Sequence, residues 1–184
     1  MKKLMALIFF AASLQPALAQ RDALIDHTDR WNLNTKFDVG YTEFDQEETF
    51  LGGLSVGGLL NDRFGFGLRG RMNMNDINGV HAGPIDTFDL WYGGIYLEYA
   101  HRLENLVYWS FDFTAATGEA SNGFSDSSML VFEPGLNVWV NITETLMLGL
   151  GGSYRIVEDL GVNGSLDDDM TGFAGNIALR FTQF

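Results

Sequence analysis

The 184-residue chain contains no cysteine, so neither a disulfide framework nor a lipid-modified cysteine can hold or anchor it. Basic residues are scarce, with 11 Lys and Arg against 24 Asp and Glu. Nucleic acid is thereby excluded as a partner, because its binding depends on clusters of Lys and Arg. Prolines number only three, set against 22 glycines and 14% aromatic residues, a composition that suits long glycine-containing strands and not disorder. Nor does any stretch supply the roughly 20 consecutive apolar residues of a membrane-spanning helix. If this chain lies in a membrane, strands must put it there.

The N-terminus reads as an export signal. Lys2 and Lys3 make a basic start, residues 4–12 an apolar centre, and Ala17-Leu18-Ala19 a small-residue cleavage site, the three parts of a secretory signal. Residues 1–19 are therefore expected to be removed, leaving 20–184 as one domain that begins at Gln20. The signal takes two lysines and no acid with it, so the mature chain is two charges more negative than the −13 of the whole.

After a short polar lead the chain alternates. The clearest stretch covers 129–157, where Phe132, Pro134, Leu136, Val138, Val140 and Ile142 share one parity and Glu133, Gly135, Asn137 and Asn141 the other. Beyond Thr143, Glu144 and Thr145 the scheme repeats, with Leu146, Leu148, Leu150, Tyr154 and Ile156 against Gly149, Gly151, Ser153 and Arg155. A period of two means strands. Each run exceeds the usual ~5 to 6 residues of a strand and matches the ~9 to 11 that a tilted strand needs to cross a bilayer.

Six further runs follow the same rule. The first sets Trp31, Leu33, Phe37, Val39 and Tyr41 against Asn32, Asn34, Lys36 and Asp38, and an acidic connection over 44–48 leads to Phe50, Leu54, Val56 and Leu60. A tight turn at Asn61, Asp62 and Arg63 precedes Phe64, Phe66, Leu68, Met72 and Met74, which alternate with Gly65, Gly67, Arg69, Arg71 and Asn73. In the fourth run Phe88, Leu90 and Tyr92 are even, whereas Ile95, Leu97 and Tyr99 are odd; a bulge at Gly93-Gly94 would place both triplets on one face. Val107, Trp109, Phe111 and Phe113 mark the fifth run, and Phe173, Ile177, Leu179 and Phe181 the last. Connections at 75–86, 118–128 and 158–170 are long, and the others tight. The expectation is an all-β fold, an eight-stranded antiparallel up-and-down transmembrane β-barrel with short periplasmic turns and longer outer loops.

Size decides which face looks out. By parity about 38 large apolar side chains share one face, and an eight-strand interior is only just wide enough to be filled by side chains. The apolar face therefore meets lipid. Trp31, Phe64, Tyr99 and Trp109 on the turn side, with Tyr41, Phe88 and Phe173 on the loop side, would form the two aromatic girdles. The other face is rich in Gly, Ser and Asn and carries Lys36, Arg69, Arg71, Arg155 and Arg180 alongside Asp38, Asp89, Glu98, Asp112 and Glu133. A buried ion left unpaired costs several kcal/mol, so these should pair in a network. Arg69, Arg71 and Arg155 are expected to be compensated chiefly by Asp112, Glu133 and Glu98, each arginine reaching one or two strands along the wall. A proton or ion path is the alternative, opposed by the lack of a continuous channel in so narrow a barrel.

This pattern resembles the small outer-membrane barrels of the OmpA and OmpX type. The terminal Phe184 resembles the C-terminal aromatic by which such barrels are recognised, which implies the barrel assembly machinery as a partner through Phe184 and outer-membrane lipid as the surroundings. The chain departs from the family at Thr182 and Arg180, where aromatic or apolar residues are the rule. The segment 133–154 with the closing strand is also similar to uncharacterised exported proteins of Bacteroidetes-like bacteria.

Catalytic and metal-binding chemistry has little to stand on. A lipid-modifying outer-membrane enzyme would need a nucleophile within hydrogen-bond reach of a base, and His81 with Ser125 or Ser128 is the one combination on the loop side; His27 and His101 lie toward the turns. Asp167, Asp168 and Asp169 could hold a divalent cation, although the run lacks the EF-hand spacing. No cofactor is expected. Asn141-Ile142-Thr143 matches a glycosylation sequon by chance. Pro134 removes a ladder hydrogen bond from a barrel without edges, which calls for a bulge or an end position. The expected role is non-enzymatic, in envelope structure or in binding a surface ligand at acidic outer loops; the alternatives are a lipid-modifying enzyme and a soluble exported barrel carrying an apolar ligand.

Overall fold

The computed structural model describes residues 30–44, 47–75, 89–121, 126–159 and 170–183. They form β1 (Trp31–Phe44), β2 (Glu47–Leu60), β3 (Phe64–Asn73), β4 (Asp89–His101), β5 (Val107–Ser121), β6 (Asp126–Asn141), β7 (Leu146–Asp159) and β8 (Gly172–Gln183). Each strand pairs antiparallel with the next and β8 pairs with β1, closing an eight-stranded barrel. The signal segment 1–19, Gln20, His27, His81, Phe88, Ser125, the Asp167–Asp169 run and Phe184 fall outside the described residues.

Strict alternation sorts successive side chains onto opposite faces of the closed sheet. Along β8 exposed and buried residues alternate from Phe173 to Gln183 without a break, and the outward residues include Phe173, Ile177, Leu179 and Phe181. The other seven strands present Trp31, Phe50, Phe64, Trp91, Trp109, Leu136 and Leu150 outward in the same way. At the turn end, Phe64 packs on Tyr99 at 5.4 Å and Tyr99 on Trp109 at 5.9 Å, forming part of an aromatic girdle.

β4 corrects the expected bulge. Its ladder to β3 runs through Arg69↔Gly94 and Gly70↔Gly93 in unbroken register, and its ladder to β5 is equally continuous. Leu90 and Tyr92 therefore point inward, while Trp91, Ile95 and Leu97 point outward. The even parity of Leu90 and Tyr92 misleads because the lumen itself is apolar near its ends. Asp89, on the odd parity, lies exposed outside the lumen. Leu60, expected outward, is buried beside the β2–β3 turn.

Two loops are shorter than the polarity of their sequences suggests. β5 continues to Ser121 and β6 starts at Asp126, so most of the 118–128 stretch is paired strand; the 44–48 connection likewise contracts, with β1 reaching Phe44 and β2 starting at Glu47. Pro134 needs neither a bulge nor an end position. The β6–β7 ladder holds Phe132↔Ile156 and resumes at Gly135↔Ser153 in the same register, so the missing N–H interrupts the ladder and moves nothing. The tight β2–β3 turn places Asn61 and Asp62 at φ of 52° and 55°, the left-handed pair that matches hairpin twist.

Candidate functional site

The lumen is layered. Toward the loop end Leu51, Leu90, Tyr92, Ala116, Ala120, Met129, Val131, Val157 and Met170 form one apolar cluster. Toward the turn end Leu59, Ala100, Leu103, Tyr108, Trp139, Met147 and Ala178 form another. Leu103 arrives from the β4–β5 turn, whose carbonyl groups at Leu103 and Asn105 accept hydrogen bonds from Asn141 Nδ2. Between the two clusters lies a belt of charge, comprising Lys36, Asp38, Arg69, Arg71, Glu98, Asp112, Glu133, Arg155 and Arg180, all buried.

Eight of the nine belt residues fall into two groups. In the first, Arg71 donates to Glu133 Oε1 at 2.5 Å and to Asp38 Oδ2 at 2.5 Å. Glu133 also accepts from Tyr92 Oη at 2.9 Å and Ser153 Oγ at 2.5 Å. Arg69 reaches Asp38 at 3.4 Å, Thr114 Oγ1 at 3.1 Å and Asp112 at 3.6 Å. In the second group Glu98 Oε2 takes both Lys36 Nζ, at 3.1 Å, and Arg180 Nη2. Arg180 further donates to Asn34 Oδ1 and Tyr108 Oη and lies 5.1 Å from the Trp139 ring, while Lys36 lies 4.5 Å over Tyr96. Arg155 donates to the Met170 carbonyl and to Thr42 Oγ1.

Register explains this choice of partners. Lys36 faces Arg180 across the β1–β8 ladder, and Glu98 faces Asp112 across β4–β5. Like charges directly opposite one another on a sheet repel. The attraction that offsets this runs over the barrel axis, from β8 and β1 to β4 and from β3 to β6. The expectation that each arginine finds a carboxylate one or two strands along the wall is thus corrected for Glu98, whose partners are Arg180 and Lys36; only the Arg69 contacts and the Arg71–Asp38 bond span two strands.

Glycines make room for these side chains. Gly53 lies opposite Asp38, Gly65 opposite Glu98, Gly135 opposite Asp112, Gly149 opposite Trp139 and Gly151 opposite Asn137. A Cβ on Gly149 would come to 2.6 Å from the Trp139 ring, and one on Gly53 to 2.5 Å from Asp38 Oδ1. The sequence signal was the alternation of glycine with charge on the lumen face, although it could not say which glycine served which side chain.

Comparison with known proteins gives the same architecture. Neisserial surface protein A has 16% identity over 84% of this chain and 99% of its own, with a TM-score of 0.62. The fold is that of the eight-stranded outer-membrane barrels. The N-terminal barrel domain of Pseudomonas aeruginosa OprF has it too, at 11% identity, 83% and 97% coverage and a TM-score of 0.57. So does Ail of Yersinia pestis, solved in complex with the heparin analogue sucrose octasulfate, at 12% identity, 84% and 98% coverage and a TM-score of 0.50. No family model matches this chain, and no curated protein does. Within this outer-membrane-barrel fold no group of three or more His, Cys, Asp or Glu side chains converges as a metal site among the described residues. His101 lies at the turn end, stacked on Trp109 at 5.2 Å, and Ser128 is exposed near the loop end of β6.

Proposed function

We propose that the protein is an integral barrel of the bacterial outer membrane, exported by its first 19 residues, closed to solute flow and without enzymatic activity, serving the envelope's integrity or binding a ligand at its loop end. One observation carries this reading: large apolar side chains are exposed on all eight strands, from Trp31 at 48% to Phe173 at 80%, while the interior holds the ions. A soluble carrier would have the two faces exchanged, because exposed apolar surface of this extent marks a membrane or partner contact. The apolar layers at both ends of the belt support a closed lumen. Membrane lipid surrounds the barrel, and the terminal aromatic Phe184 serves as the handle for assembly.

The exposed charges described at the loop end, Glu43, Glu48, Asp89, Glu119 and Glu158, are all carboxylates. A surface ligand at this rim is accordingly cationic, since like charge across an interface is repelled. The test is a gel of unboiled against boiled protein together with labelling of a single cysteine. The absence of native cysteine gives a clean background for Glu144→Cys, in the β6–β7 turn. The barrel is expected to migrate differently before boiling, and the thiol to react with an impermeant reagent only after the outer membrane is opened. Protein that stays in solution on lysis without detergent overturns the reading; labelling on intact cells inverts the orientation.

A further inference from the structure

The outer wall of the barrel is not uniformly filled. A groove of about 1000 Å³ runs along its loop-end half from β8 across β1 to β4, walled by Phe37, Leu54, Met72, Met74, Trp91 and Ile177. Its floor is glycine backbone at Gly52, Gly70 and Gly93. Gly70 and Gly93 are direct cross-strand partners, so two neighbouring outward positions lack side chains together.

Glycine is a poor strand residue, and inside a strand it marks a bend or a place where another backbone or a ligand comes close. Several lumen-facing glycines meet that need: a Cβ on Gly57, Gly67 or Gly94 would collide with the backbone of a neighbouring strand. Gly70 and Gly93 do not. A Cβ on Gly70 would find only the Tyr92 carbonyl at 3.9 Å, and one on Gly93 only the Arg69 carbonyl at 3.6 Å. Neither crowding nor a bulge accounts for them, and the space above them is open.

We infer that this groove is a binding site for the hydrocarbon chains of a membrane lipid, recognised by shape and not by headgroup charge. The inference rests on the outer-membrane reading, which makes the wall an interface with lipid; the groove is continuous with that interface and lies in the half that faces the outer leaflet. Its volume is at the upper end of the ~300 to 1,000 Å³ of small-molecule pockets. Met72 and Met74 are flexible, polarizable walls suited to packing against chains of varied shape, and Met74 lies across Gly52 with its sulfur 3.0 Å from where a Cβ would sit. The rim above carries the carboxylates Glu48 and Asp89 and, among the described residues, no exposed Lys or Arg. A phosphate therefore finds no ion pair there, so the hydrocarbon supplies the affinity.

The experiment uses the whole protein reconstituted into vesicles of saturated phosphatidylcholine or of phosphatidylglycerol with the same chains, then released into mild detergent for native mass spectrometry. Wild type should retain lipid adducts from both vesicles, to within about twofold. Gly70→Phe/Gly93→Phe, which fills the floor without backbone collision, should lose them at least tenfold. Gly152→Phe/Gly175→Phe, at the other outward glycine pair on β7 and β8, should retain them. The gel shift on boiling shows that each variant is a folded barrel. Equal retention in both double variants, retention of phosphatidylglycerol alone, or a dimer mass that vanishes with the groove variant each overturns the inference. A wild type that never enters vesicles overturns the membrane reading itself, and the two failures are thus distinct.

Discussion

Replacing Glu98 by leucine should be the most damaging single change in the belt. Its Oε2 is the shared acceptor of Lys36 and Arg180, and no other carboxylate among the described residues forms an ion pair with either. Glu98→Leu therefore leaves two cations buried without a counter-ion and facing each other across the β1–β8 ladder. Removal of one partner from a buried pair costs roughly 3 to 5 kcal/mol. Two stranded cations would double that, but each keeps other support: Arg180 retains Asn34, Tyr108 and the Trp139 face, and Lys36 the Tyr96 face. A desolvated cation over an aromatic ring recovers up to about 2 kcal/mol. The expected loss is about 5 kcal/mol, comparable with the whole stability of a marginal domain. Urea unfolding in detergent micelles, followed by tryptophan fluorescence, measures it. Glu98→Gln, which keeps an acceptor but no charge, should fall between. The triple change Lys36→Met/Glu98→Leu/Arg180→Met should recover most of the loss, because apolar groups can replace a complete ionic group nearly neutrally. A Glu98→Leu protein within about 0.5 kcal/mol of wild type, as for a surface substitution, would refute the buried belt. A triple variant no better than the single one would refute the pairing.

Two further outcomes are expected. Glu133→Leu should cost about 3 kcal/mol, nearer the lower end of the buried-pair range, because Arg71 keeps Asp38 at 2.5 Å; adding Arg71→Leu should restore less than in the Glu98 case, since Asp38 then keeps only Arg69 at 3.4 Å, and both are read from the same urea curves. Gly67→Ala should destabilise by about 3 kcal/mol or more, as overpacking does at its upper end, because the new Cβ meets the Val56 carbonyl and the Gly57 Cα; Gly70→Ala should instead gain roughly 0.5 to 1 kcal/mol from the better strand residue, and equal effects at the two sites would contradict the geometry.

The strand count, the barrel class and, Asp89 apart, the membership of the belt were legible because a period of two sorts every residue onto a face whatever its partner. Legibility failed where both faces are apolar. Met129-Leu130-Val131-Phe132 reads as a continuous apolar run, yet Met129 and Val131 point into the loop-end cluster, and Leu90 and Tyr92 produced a false bulge for the same reason. The ion pairs were illegible for a different reason. Parity places a charge inside, but the height of Glu98 relative to Arg180 depends on registers summed around half the circumference. In a closed tube a long side chain also meets the far wall as readily as the next strand. The strand-like character of residues 118–121 was hidden by their polarity, because near the rim a strand no longer needs an apolar face.

The apolar layers above and below the belt also separate the protein's charges into two populations with opposite responses to ionic strength. Belt side chains such as Arg180 and Glu133 are 0% exposed, so mobile ions cannot approach them and added salt leaves their attraction intact. The loop-end carboxylates stand in water, where the Debye length shortens from ~30 Å at 0.01 M to ~8 Å at 0.15 M and their mutual repulsion fades. Among the described residues of this loop-end rim and the belt, salt therefore screens repulsion and leaves attraction. A barrel filled with ion pairs should thus become more stable as ionic strength rises, the reverse of what ion pairs exposed on a surface would give.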